Sequence, residues 1–107
     1  MAKYSDGLDA VASALAQPSR RQILSRLSTG EATSSELSEL TGIGLPTIAK
    51  HAAALADAGL ITSRKSGRVV THRIRTVGFD DLQTWIATRK LFWDTQLDSL
   101  ERHLEKP

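Results

Sequence analysis

The sequence predicts a mainly α chain with one small β-hairpin, in the order α-α-α-α-β-β-α. Three features carry that prediction. Apolar residues recur every three or four positions as far as Gly59, the period falls to two between Leu60 and Arg75, and the helical period resumes from Asp80. At 107 residues the chain is one domain's worth of material, able to bury roughly 65% of the surface its unfolded form exposes.

Leu8, Val11, Ala12 and Leu15 follow the i, i+3, i+4, i+7 spacing of one helical stripe, with Ser5 or Asp6 as the N-cap. Pro18 suits the first position of a second helix, where its missing N–H costs nothing. Ile23, Leu24 and Leu27 form that helix's buried face, Arg20, Arg21 and Arg26 stay polar, and Gly30 stops it. A short third helix starts near Thr33 or Ser34, buries Leu37 and Leu40, and ends at Gly42, which can take the left-handed conformation. Ile43 and Gly44 make a tight turn. A fourth helix follows, with Pro46 in its first turn, Ile48, Ala52 and Leu55 inward, and Gly59 as its stop.

Leu60–Ser66 and Arg68–Arg75 are rich in Ile, Val and Thr and flank Ser66-Gly67, a hairpin signal. Val70, His72 and Ile74 alternate with Val69, Thr71, Arg73 and Arg75, so one face can pack on the helices while the other stays wet. The last element, about Asp80 to Glu105, is a long helix carrying Leu82, Trp85, Ile86, Phe92, Trp93, Leu97, Leu100 and Leu104 at three- and four-residue intervals.

The net charge of +2 is unevenly placed. Lys50, Arg64, Lys65, Arg68, Arg73 and Arg75 face only Asp57 between positions 50 and 75, so that stretch carries +5 and the remainder −3. Phosphate neutralisation needs such a face, although a solvated basic hairpin looks the same. With no cysteine in the chain, disulfides, thiolate metal sites and cysteine nucleophiles are excluded. No apolar run approaches the roughly 18 residues of a membrane span, and Met1 to Gly7 lacks a signal-peptide core, so a soluble, cytoplasmic protein without membrane contact is expected.

A helix, a tight turn, a second helix and a basic hairpin is the order of a winged helix-turn-helix, whose second helix fits a major groove about 12 Å wide. Thr47, Lys50 and His51 then reach base edges, Leu45 can meet a thymine methyl, and Arg64, Lys65 and Arg68 lie near phosphates. Ser34, Ser35 and Gly44 complete the expected contact set. His72 and His103 read as surface histidines. Trp85, Phe92 and Trp93 can line a pocket for an apolar inducer or form a dimer core, the second being favoured. The carboxylates of the last helix stand at surface spacing with no nucleophile, metal or phosphate loop beside them, so no enzyme and no cofactor is expected. The alternative is a winged-helix protein-interaction module, in which the alanine-rich face of the fourth helix docks a partner instead of DNA.

The run from Ala14 to Leu24, ALAQPSRRQIL, resembles the opening signature of ArsR-type repressors. Pro46 to His51, PTIAKH, followed by Leu55 and by Ala58 to Ile61, resembles their recognition helix. The likeness covers roughly residues 8 to 76, and the tail FWDTQLDSLERHL from Phe92 is similar to a subgroup with a long C-terminal helix. It implies an autoregulatory repressor that reads palindromic double-stranded DNA as a homodimer and is released by a small-molecule inducer. One domain over 1–107 would then use residues 5–16 and 79–105 for dimerisation, through Leu8, Val11, Leu15, Trp85, Phe92, Trp93, Leu97, Leu100 and Leu104. Thr33 and Ser35 stand where metal-sensing relatives carry a Cys-x-Cys pair, and the last helix offers only His103 among Asp94, Asp98, Glu101 and Glu105, so no metal site is expected. Ala49 replaces a frequent serine, Ala52 to Ala54 replace larger residues, and Gly44 stands where serine often caps, leaving few side chains to read bases.

Overall fold

The computed structural model describes the backbone of residues 3–105 and the side chains from residue 7 to residue 105. The elements run α1 (Lys3–Leu15), α2 (Pro18–Leu27), β1 (Ala32–Thr33), α3 (Ser34–Thr41), α4 (Leu45–Asp57), β2 (Ile61–Ser66), β3 (Val69–Ile74), a 3-10 turn (Thr76–Phe79) and α5 (Asp80–Glu105). The helices and the hairpin fall where the apolar spacing puts them. Because α1 begins at Lys3, Ser5 and Asp6 lie inside the helix rather than at its cap, and their side chains are outside the described residues.

Local chemistry explains the boundaries that matter. Thr33 Oγ1 accepts from the Glu36 N–H at 3.1 Å while Glu36 accepts from the Thr33 N–H at 2.8 Å, a reciprocal cap that starts α3. Gly42, at φ 73°, ends it in the left-handed conformation. The Gly44 carbonyl then accepts from Thr47 and Ile48, opening α4 with Pro46 in its first turn. One turn of chain between α3 and α4 therefore fixes their crossing.

Four helices and the sheet share one core, in which Ile23, Leu27, Leu37, Ile48, Leu55 and Leu60 are fully buried. Two expectations change here. Leu40 is 48% exposed, because α3 has only eight residues and its inward contact is made by Leu37 alone. In α1 the inner stripe passes through Val11 and Ala14, leaving Ala12 exposed.

The sheet has three strands, not two, in the order β1-β3-β2 with both pairings antiparallel. Ala32 pairs with His72 and Thr33 with Thr71, so the chain just before α3 is stitched to the hairpin. Two residues are too few to show a period, which is why β1 leaves no mark in the sequence pattern.

The turn leading into α5 is clamped to the end of α4. The Gly78 N–H donates to the Gly59 carbonyl at 3.1 Å, and a Cβ on Gly78 would fall on the Gly59 carbonyl group, closer than real Cβ atoms come. Gly59 itself sits at φ 76°. α5 then packs its first turn on the head through the half-buried Leu82 and projects away beyond it, about 39 Å long in all at 1.5 Å per residue. The radius of gyration is accordingly 18.7 Å, against about 13 Å for a compact chain of this length.

Gly78→Ala is expected to lower stability by about 2 kcal/mol, as forced overpacking against backbone does, and thermal denaturation by circular dichroism checks it. A melting temperature within a degree of the parent would show that the two glycines are not in contact.

Candidate nucleic-acid interface

The face of α4 turned away from the core is open along its whole length. Leu45, Pro46, Thr47, Ala49, Lys50, Ala53, Ala56 and Asp57 are all exposed, while Ile48, Ala52 and Leu55 are buried opposite them. Lys50 projects from the middle of that face and has no ion pair among the described residues. One residue on, a 100° rotation carries His51 to the inner side. His51 is only 8% exposed, and its Nδ1 accepts from the Arg20 Nε–H of α2 at 3.0 Å. The polar-face position expected for His51 is thus corrected: it joins two helices from inside.

The strand register sorts the hairpin's cations. Ser63 opposes His72 and Lys65 opposes Val70, so these four share one face; Arg64 opposes Thr71 and Thr62 opposes Arg73 on the other. Ser63, Val70 and His72 line a hollow with Ala49, Ala52, Ala53 and Ala56, which identifies their face as the α4 side. Lys65 belongs to that side, and Arg68, at the tip, lines an adjoining cleft of about 490 Å³ with Ser34, Ser35, Leu45 and Ala49. Arg64 turns away instead, its guanidinium bound through two nitrogens to both Glu31 oxygens at 3.1 Å each. Glu31 lies 33 residues earlier, and no local pattern announces the pair.

His72 is also corrected, from a surface residue to one 2% exposed. Its Nε2 lies 2.8 Å from Ser34 Oγ and its Nδ1 2.6 Å from Ser63 Oγ, so one ring nitrogen donates to its serine and the other accepts from its serine's hydroxyl. The bridge ties the first turn of α3 to β2 and β3. Ser34, expected at the interface, is half-buried and bound to His72, whereas Ser35 remains exposed. The inward face of His72 was readable from strand alternation, but its two serine partners were not.

Of α5 only Leu82 is half-buried against the head, and every other described residue of the helix is exposed. Trp85, Phe92, Trp93, Leu97, Leu100 and Leu104 are all about half exposed or more. Arg89 lies over the Trp85 ring at 5.0 Å, and Phe92 meets Trp93 edge-on at 5.4 Å between centroids. Val11, by contrast, is 2% exposed within its own head and has nothing left to offer a partner, which removes it from the expected dimer contacts. Among the described residues no group of three or more His, Cys, Asp or Glu side chains is placed to hold a metal ion, and no helix is long and apolar enough to cross a membrane.

Comparison with known proteins agrees with this geometry. A family model described as a helix-turn-helix domain matches residues 15–64. The crystal structure of an ArsR family transcriptional regulator is 40% identical and superposes with a TM-score of 0.81, covering 88% of this chain and 97% of that one. A homodimeric winged helix-turn-helix DNA-binding domain from Mycobacterium bovis, a possible ArsR-family regulator solved by NMR, is 30% identical with a TM-score of 0.61, covering 88% and 84% of the two chains. The probable mercury resistance operon repressor of Streptomyces lividans is 34% identical over 61 residues, 57% of this chain; the match spans about half of that relative's length, 49%. The fold and its open basic side define a winged helix-turn-helix protein. The chain belongs to the ArsR family of transcriptional regulators.

The buried histidines make stability depend on pH. Burial, and then the Arg20 guanidinium, hold His51 below the ordinary histidine value of 6.5, and burial does the same for His72. Above about pH 6.5 both states are neutral and the stabilisation is complete; as pH falls below that, the unfolded chain takes up protons that the folded one refuses, and stability is lost. Glu31, held low by Arg64, and Glu36, held low by Thr33, act in a separate window below their ordinary 4.5. The melting temperature is therefore expected to fall between pH 7 and 5, and to fall less in a His51→Gln, His72→Gln double variant. A flat profile in the parent over that range would contradict the burial of the two imidazoles.

Proposed function

We propose that this chain is a DNA-binding transcriptional repressor acting as a homodimer. The observation that carries the reading is the common exposure, on one side of the molecule, of the α4 outer face with Lys50 and of the hairpin cations Lys65 and Arg68. The outer face of α4 enters the major groove, where Leu45, Thr47 and Lys50 of its N-terminal half reach base edges, Ser35 and the Gly44 backbone approach the phosphates, and the wing lies on the flanking backbone. Arg64 contributes by bracing the wing through Glu31 rather than by touching DNA, and His51 by seating α4 on α2.

The second copy covers α5. Eight large apolar side chains of that helix, from Trp85 to Leu104, are exposed in the single chain, more than a lone domain leaves in contact with water. A two-fold pair of heads reads a palindrome whose half-sites lie about 34 Å apart or a multiple of it. Control of its own promoter, release by a small-molecule inducer and a cytoplasmic location are the remaining parts of the proposal, supported by family membership.

Titration of the protein on its own promoter at several salt concentrations tests the interface: Lys50→Ala and Arg68→Ala are each expected to weaken binding and to lower the salt slope by about one. Unchanged affinity in both would move the contact elsewhere. A complete lack of salt-sensitive binding, with a protein partner retained by the alanine face of α4, would favour the interaction-module reading, for which the exposed Ala49, Ala53 and Ala56 speak. Trp93→Asp, at a position 59% exposed and remote from the core of the head, is expected to sediment as a folded monomer. A dimer that survives it would place the interface off α5.

A further inference from the structure

The outer face of α4 is chemically sparse, and that sparseness specifies what it can read. Of its exposed residues Leu45, Pro46, Ala49, Ala53 and Ala56 offer only carbon, and Asp57, near the C-terminal end, repels phosphates. His51 and Ser34, which could have read bases, are turned inward: His51 is buried with its Nδ1 bound to Arg20, and the Ser34 hydroxyl is bound to His72. Thr47 and Lys50 remain, and Lys50 alone has the reach to enter a groove from the centre of the face. We infer that the half-site read by α4 holds a guanine met by Lys50, beside thymines whose methyl groups lie on Ala49 and Ala53; this rests on the DNA-binding reading above.

The choice of bases follows from donor and acceptor counts. An ammonium has three donors and no acceptor. In the major groove guanine presents two neighbouring acceptors, N7 and O6, whereas adenine pairs its acceptor with a donor, cytosine offers a donor, and thymine a single acceptor beside a methyl group. Lys50 is therefore best satisfied by guanine. Ala53 stands about 4.5 Å further along the helix axis at 1.5 Å per residue, close to the 3.4 Å that separates stacked base pairs. A methyl side chain at that step has nothing to offer a polar base edge and packs on the thymine methyl. Ala49 does the same on the wing side, where it lines the cleft with Arg68.

The test uses the full chain and a random duplex library. Selected half-sites are expected to share one guanine. Replacing it with 7-deazaguanine, which lacks the N7 acceptor, should weaken binding of the parent about tenfold and leave Lys50→Ala unaffected. Replacing the neighbouring thymines with uracil should cost about fourfold per methyl removed. Lys50 is exposed, so the variant keeps its fold, and a circular dichroism melt verifies that. Selected sites without a common guanine, or a 7-deazaguanine loss equal in parent and variant, would overturn the inference while leaving DNA binding intact. No enrichment and no salt-sensitive retention would overturn the DNA-binding reading itself.

Discussion

The burial of one side of α4 is the constraint from which the rest follows. Ile48, Ala52 and Leu55 fill the space between α1, α2, α3 and the start of β2, and each is at or near full burial. A 13-residue helix buried on that side leaves the other open, because the hairpin faces its flank across a hollow rather than covering Lys50 and the residues around it. The exposed face is thus a by-product of core packing, and what it recognises depends on the few side chains planted on it.

Around that helix the protein uses polar links where a larger domain would use more core. His51 joins α4 to α2, His72 joins α3 to both hairpin strands, and Glu31 holds Arg64 against the outside of the sheet. No buried side-chain nitrogen or oxygen among the described residues lacks a partner, so the two imidazoles are accommodated at little cost in unmet hydrogen bonds. The exposed pair of Arg64 and Glu31 adds geometry more than stability, since ion pairs in water contribute about 1 kcal/mol or less. It links the wing strand β2 to the chain just before β1.

Much of this architecture was legible from spacing. Ile48, Ala52 and Leu55 announced the inner side of α4, Gly42 the end of α3, Gly59 the stop after α4, and Ser66-Gly67 the hairpin. What escaped depends on contacts between distant residues. The strand Ala32–Thr33 exists only because β3 passes beside it, and its two residues have no period of their own. His51 follows Lys50 in sequence and shares its polarity, yet a single step around the helix separates solvent from core. Likewise, nothing near Arg64 foretells a carboxylate 33 residues away. Of the candidate site, therefore, the exposure of Lys50, Lys65 and Arg68 was legible from charge and position, while the contacts of His51, His72 and Arg64 were not.

The long terminal helix has a consequence for how the chain behaves in a cell. Beyond the half-buried Leu82 the helix buries no side chain in its own head, so it draws little stability from folding of the single chain, and in the proposed dimer the second copy supplies the rest. Under that proposal its order rises with the amount of chain present, while the head keeps its shape by its own core. When the second copy is absent, the overhanging turns are the part whose local opening costs least.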